Sequence, residues 1–294
     1  MLRVLKQAFK TGVLTNKFPA VQSKPPQDFQ GKPVIDFASC ATGDLAANAC
    51  PSGALSFETR QQDPDVRKWS AELTLDYGKC IFCGECMRTS PESITIAQEL
   101  PPPTTDKSSL TRRARYQKNE HDEWMYVESV SDQASIESVT DSATSLEELG
   151  KSVREAVQNI FGRSLHIREV DAGSCNGCEI EITALNNSIY DVERFGVHFV
   201  ASPRHADMLL VTGPVTRNME IALRQTYDAT PGPKLVIAVG ACGISGGIFG
   251  QSYASCGGVD KVVPVDVYIP GCPPGPEALL RGIFLALDRW PGKT

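Results

Sequence analysis

Two cysteine runs near the amino terminus follow one spacing rule, and both break it. One reads Cys80-Ile-Phe-Cys83-Gly-Glu-Cys86-Met-Arg-Thr-Ser90-Pro91, the other Cys40-Ala-Thr-Gly43-Asp-Leu-Ala46-Ala-Asn-Ala-Cys50-Pro51. The rule is C-x₂-C-x₂-C-x₃-C-P, an iron–sulfur ligand spacing in which the fourth cysteine of each run serves the other run's cluster. Read this way, the losses at Gly43, Ala46 and Ser90 all fall on one cluster. Cys50, Cys80, Cys83 and Cys86 survive as a whole ligand set for the other. Cys40 is left over and reads as a buried small side chain. Four thiolates would also suit structural zinc. Zinc ribbons, however, separate their pairs by roughly 15–20 residues, without a compact three-cysteine run or the prolines that follow here. Iron–sulfur ligation is the stronger reading.

A second group of four lies further on. Cys175 and Cys178 sit in Gly173-Ser-Cys-Asn-Gly-Cys-Glu-Ile-Glu181, Cys242 in Gly240-Ala-Cys-Gly243, and Cys272 in Pro270-Gly-Cys-Pro-Pro274. Each follows an apolar run that reads as a strand, and loops at the carboxyl ends of parallel strands converge on one crevice. Glycines 243, 246 and 247 would let the backbone approach a cluster and aim amide hydrogens at its sulfurs. Spacing leaves an alternative: Cys256, in Ala254-Ser-Cys-Gly-Gly258, could replace one of the four, although no proline brackets it as at Cys272.

These ligands need elements to hold them. Short alternating strands are expected at Ala54–Phe57, Leu73–Leu75 and Ile94–Ile96, forming a small α+β unit over 31–105 that needs its cluster for part of its folding energy. Pro101-Pro102-Pro103 ends it. Arg112, Arg113, Arg115 and Lys118 follow, and then Asn119–Gly150 carries nine acidic residues and no lysine or arginine. With Ser, Thr and Asp dominating Ser129–Ser145, residues 106–144 read as a solvated linker. A helix restarts at the capping-box sequence Ser145-Leu-Glu-Glu148, its apolar face marked by Leu146, Leu149, Val153, Val157 and Ile160. Strand-like runs at Leu165–Val170, Met208–Thr212, Leu235–Val239 and Val265–Ile269 then alternate with helical ones at Met219–Gln225 and Glu277–Trp290. That alternation implies an α/β domain over 145–294 with a mainly parallel sheet.

Composition sets the bounds. The chain has 294 residues, 41% hydrophobic and 22% charged, enough for two packed domains. A net charge of −6 argues against nucleic acid as a partner. Ten cysteines clustered at ligand spacing, with no secretory apolar region, fit the reducing cytoplasm better than a disulfide framework. No apolar run is long enough to span a bilayer. Residues 1–30 read as an amphipathic arm with Leu2, Leu5 and Phe9 on one stripe, suited either to a membrane-bound surface or to packing on its own domain.

At these motifs the chain resembles a known family. Residues 164–290, through Gly173–Glu181, Gly240–Phe249 and Val263–Pro274, resemble the small electron-transfer subunit shared by energy-converting NiFe-hydrogenases and respiratory complex I. The resemblance implies a flavodoxin-like α/β fold and a 4Fe–4S cluster on Cys175, Cys178, Cys242 and Cys272. The spacing Cys175-Asn-Gly-Cys178 resembles the hydrogenase branch rather than complex I, where the two cysteines adjoin. Phe9–Gly12, Gly31–Pro33 and Cys80–Gly84 are similar to the ferredoxin-like subunit of formate-hydrogenlyase-type complexes, so the chain looks like a fusion of two subunits that are ordinarily separate. That relative carries two clusters where this chain keeps ligands for one. The resemblance also matches Glu181 to a glutamate near the cluster, a candidate proton relay; a helix residue favoured by the macrodipole is the plainer reading.

The expectation is therefore an oxidoreductase subunit with two 4Fe–4S clusters and no catalytic residue of its own. It would conduct electrons between an upstream donor or acceptor module and a catalytic large subunit bearing nickel and iron. With the complex's membrane subunits, it would sit peripherally on the cytoplasmic face of the cytoplasmic membrane. A complex I-like quinone module, a nickel-free relative, and a free redox carrier or sensor are the rival readings.

Overall fold

The computed structural model describes Arg3, Lys6 and residues 29–40, 43–63, 68–130 and 146–290. The stripe of Leu2, Leu5 and Phe9, and the cap at Ser145, lie outside the described residues. Strands β1 (Pro33–Ile35) and β4 (Ile94–Ile96) pair antiparallel, as do β2 (Leu55–Asp63) and β3 (Lys68–Asp76). Short helices at Gly43–Asn48 and Glu85–Thr89 complete two strand–helix–strand halves. Residues 54–57, 73–75 and 94–96, expected as strands from their alternation, lie almost wholly within β2, β3 and β4.

In the stretch read as linker, residues 106–130 form regular structure, and 131–144 lie outside the described residues. Strands β5 (Thr111–Lys118) and β6 (Trp124–Ser129) extend the hairpin into a four-stranded antiparallel sheet, order β2-β3-β5-β6. The physical reason is alternation hidden under charge. Arg113 and Arg115 face solvent while Ala114 and Tyr116 are buried, which is the period of a half-buried strand. Before it, Pro103 and Thr104 run along the neighbouring unit, where Thr104 and Tyr268 exchange backbone hydrogen bonds of 3.0 and 2.8 Å.

In the carboxyl-terminal unit, β7 (Leu165–Asp171), β8 (Val197–Phe199), β9 (Met208–Thr212), β10 (Leu235–Val239) and β11 (Val267–Ile269) form an all-parallel sheet, order β11-β10-β9-β7-β8. Counted within the unit this is 2-1-3-4-5, a doubly wound order whose reversal falls between β7 and β9. Every residue of β9 and β10 is buried, as expected for strands covered on both faces.

The two faces have different covers. Met208, Leu210, Leu235, Ile237 and Val239 join one core with the helices Leu146–Phe161 and Pro276–Asp288. Leu209, Val211, Val236 and Ala238 belong instead to a core that runs on into Leu73, Leu75, Tyr77, Leu110 and Tyr116 of the amino-terminal unit. Alternate residues of one strand thus serve two cores, and the second core is shared between the units. An ion pair, Lys107 Nζ to Asp260 Oδ2 at 2.6 Å, adds to the junction. No helix among the described residues is long and apolar enough to cross a membrane.

Candidate metal centres

Cys50, Cys80, Cys83 and Cys86 come together. They line one small pocket with Pro33, Ala54, Leu55, Leu75, Ile81, Phe82 and Ile96. The loop that carries three of them is tightly wound: Phe82 has φ 55° and Gly84 φ 76°, and Phe82 is a bulky side chain in the left-handed region. Such strain costs on the order of 1–3 kcal/mol and persists only where the surroundings enforce it. It turns backbone amides inward, and Phe82 N–H donates to Cys80 Sγ while Leu55 N–H donates to Cys50 Sγ, each at 3.4 Å. Burial pushes the Cys80 thiol up to about 12 and the Cys86 thiol up to about 11, with Cys50 and Cys83 raising both further by repulsion between thiolates. A thiolate set of this kind is stable only when a cationic group shares the cavity.

Cys175, Cys178, Cys242 and Cys272 also come together, at the carboxyl ends of the parallel strands. Cys175 and Cys178 follow β7, at the reversal of strand order, and Asn176 between them has φ 70° at the start of the helix Gly177–Ala184. Cys242 lies in the helix Gly240–Ser245 that follows β10, and Cys272 in the loop after β11. Burial raises Cys178 and Cys242, the latter to about 11, and each is raised further by the other thiols of the set. Two glycines make the cradle. A Cβ on Gly240 would stand 2.7 Å from Cys178 Sγ, and one on Gly247 3.0 Å from Cys242 Sγ; both have positive φ. Side chains there would occupy the space between the sulfurs.

Cys256, the alternative fourth ligand, is elsewhere: buried, and hydrogen-bonded to Glu220 Oε2 at 3.4 Å. Cys40 is buried at 1% exposure, its thiol raised by burial, beside Ser93 and the hydroxyl-bearing end of Tyr116. Glu181 is partly buried and raised for that reason, near Tyr190 rather than among the thiols. Sequence reasoning passed over its neighbour. Glu179 lies beside Cys178 and Cys242, and neither of its buried carboxylate oxygens has a hydrogen-bond partner among the described residues. It also raises Glu169, which burial has already shifted upward. The signal available was its position directly after a ligand cysteine.

Among the described residues no three His, Cys, Asp or Glu side chains close in tightly enough to hold a single metal ion. Burial raises the Cys272 thiol, as do Cys175 and Cys83, and the two loops meet where Ser245 Oγ–H donates to the Gly78 carbonyl at 2.9 Å.

Residues 175–286 match the family described as NADH ubiquinone oxidoreductase, 20 Kd subunit. A probable membrane-bound hydrogenase subunit of Pyrococcus furiosus is 53% identical over 129 residues, 44% of this chain and 77% of that protein. The chain belongs to this family. Formate hydrogenlyase subunit 7 of Escherichia coli is 52% identical over 136 residues, 46% of this chain, which spans about half of that relative (53%). An NADH-quinone oxidoreductase subunit of Bacteroides thetaiotaomicron is 46% identical over 152 residues, 48% of this chain and 76% of that protein. The 20 Kd subunit family is of the type that carries a 4Fe–4S cluster, and its members are subunits of oxidoreductase complexes, as this chain is.

Cys175 and Cys272 are exposed, as are Ile180 on the helix Gly177–Ala184 and Ile248, Phe249 and Tyr253 after the helix Gly240–Ser245, Tyr253 at 98% exposure.

Proposed function

We propose that this chain is an electron-conducting subunit of a membrane-associated, energy-converting NiFe-hydrogenase complex of formate-hydrogenlyase type. One 4Fe–4S cluster would be held by Cys50, Cys80, Cys83 and Cys86, the other by Cys175, Cys178, Cys242 and Cys272. The observation that supports this reading is the gathering of Cys50, Cys80, Cys83 and Cys86 around one pocket, with the Cys80 and Cys242 loops joined by the Ser245 Oγ–H to Gly78 O hydrogen bond at 2.9 Å. A cluster held by either set would supply one-electron redox chemistry.

The protein's own contribution is burial, spacing and hydrogen bonding. Apolar residues around the first cradle exclude water, and the amides of Leu55 and Phe82 stabilise negative charge on sulfur. Gly240 and Gly247 keep the second cradle open. The paired halves around β1–β4 support a ferredoxin-like origin for the amino-terminal unit, and the 2-1-3-4-5 order supports a flavodoxin-like carboxyl-terminal one. Residues 1–30, 31–105, 106–144 and 145–294 remain the working division of the chain, with β5 and β6 tying the third segment to the second.

The catalytic large subunit, bearing nickel and iron, would cover Ile180, Ile248, Phe249 and Tyr253 and so bury the second cradle. The upstream module would exchange electrons with the first. Membrane subunits would hold the assembly on the cytoplasmic face of the cytoplasmic membrane. A complex I-like quinone module is the second reading, supported by the kinship with the NADH-quinone oxidoreductase relative; the C-x₂-C spacing of Cys175 and Cys178 favours the hydrogenase branch. Metal analysis of the anaerobically purified native complex tests the choice. Nickel alongside full iron is expected, and full iron without nickel would favour the quinone module.

A further inference from the structure

One hydroxyl joins the two ligand loops. Ser245, three residues after Cys242, places its Oγ 2.9 Å from the carbonyl oxygen of Gly78, two residues before Cys80. A second acceptor, the Ala241 carbonyl, is further away at 3.1 Å, so the single hydroxyl proton goes preferentially to Gly78. The same Oγ shares the Gly247 N–H at 3.3 Å with that amide's nearer acceptor, the Ala241 carbonyl at 3.1 Å. Around this link the fit is close. A Cβ on Gly78 would stand 2.9 Å from Ile244 Cγ2, and Asp76 shapes the Gly78 turn by accepting from the Gly78 N–H at 2.8 Å and, through its carbonyl, from Cys80 N–H at 3.1 Å.

We infer that Ser245 is a positioning residue that fixes the separation and mutual orientation of the two cluster sites. The inference rests on the two-cluster reading above and deepens it. The Ser245 Oγ–H to Gly78 O bond connects the helix that carries Cys242 with the backbone just before Cys80, so a shift of one cradle is passed to the other. Electron exchange between two centres falls off steeply with their separation, and a loop displaced at either end therefore slows it.

The test uses the native complex carrying Ser245→Ala, with Ser245→Thr as the variant that keeps the hydroxyl. Iron and acid-labile sulfide, the magnetic interaction between the two reduced centres, and their rate of electron exchange are measured together. Ser245→Ala should keep all of its iron and sulfide, weaken the magnetic interaction, and slow exchange about tenfold, the lower end of outer-shell effects at metal sites. Ser245→Thr should restore both. Unchanged interaction and rate in Ser245→Ala, with both clusters present, would overturn the inference alone. Loss of iron in Ser245→Ala would overturn it in favour of a role in holding the fold. An unmodified complex with iron for only one cluster would overturn the two-cluster reading, and the inference with it.

Discussion

In the half of the amino-terminal unit that keeps Cys50, Cys80, Cys83 and Cys86, the thiols line an apolar cavity beneath a strained loop. In the related half, Cys40, Gly43 and Ala46 are buried, and the equivalent space is filled. Leu73 Cδ2 and Phe57 Cδ2 stand 3.2 and 3.4 Å from where a Gly43 side chain would begin. Tyr116 closes over the same region, its hydroxyl donating to the Phe37 carbonyl at 2.8 Å, and Trp124 packs edge-on against Phe57 with ring centroids 5.4 Å apart. Tyr116 and Trp124 come from β5 and β6, the strands that the charge pattern concealed. The space beside Gly43 and Ala46 is core, and the hairpin of β5 and β6 supplies Tyr116 and Trp124 to it.

The largest expected effect separates the two halves by ligand removal. Cys50→Ser should cost the first cluster although Cys50 lies outside the Cys80–Cys86 run, and the unit should lose several kcal/mol of stability with it. Cys40→Ala should leave the iron content unchanged. Iron analysis of both variants reads the outcome directly; loss of iron in Cys40→Ala would merge the halves again.

Restoring the missing residues is the converse. Gly43→Cys, Ala46→Cys and Ser90→Cys together should add no iron, because Leu73 and Phe57 hold the space, and each inserted side chain should cost about 1–3 kcal/mol through overpacking. A rise in iron after reconstitution would show that the space can reopen.

The pH response sharpens the contrast in cluster-free protein. Cys80 and Cys86 are raised from 9.0 to about 12 and about 11, so the folded state holds neutral thiols where the unfolded chain ionises first. The stability they contribute is complete below pH 9 and should be lost as pH climbs through the folded values. Thermal melts of the cluster-free chain across that range should fall, and those of loaded protein should fall less. Smallest is Tyr116→Phe, which removes one hydrogen bond from the filled half and should cost about 0.5–1.5 kcal/mol in a denaturant titration, with iron unchanged.

Much of this was legible before any coordinates. The apolar runs of β9 and β10 could hardly be anything but covered parallel strands; thiol spacing picked out Cys50, Cys80, Cys83 and Cys86 as one group, while Cys175, Cys178, Cys242 and Cys272 needed the family resemblance to exclude Cys256. The rest was hidden for definable reasons. Arg112, Arg113 and Arg115 masked the alternation of Ala114 and Tyr116, so β5 read as a solvated run. Helices as short as Gly240–Ser245 leave no periodicity to detect. Glu179 owes its interest to burial beside Cys242 and Glu169, which only the packed sheet brings about. The contact of Ser245 with Gly78 spans 167 residues and has no local trace.

The most direct test of the whole account is a count of clusters in the native, anaerobically prepared complex, by iron and sulfide content together with spin quantification of the reduced sample. Two 4Fe–4S centres per chain, magnetically interacting, are expected from cradles as close as those of Cys83 and Cys272. Iron and sulfide sufficient for only one centre in this chain would contradict it.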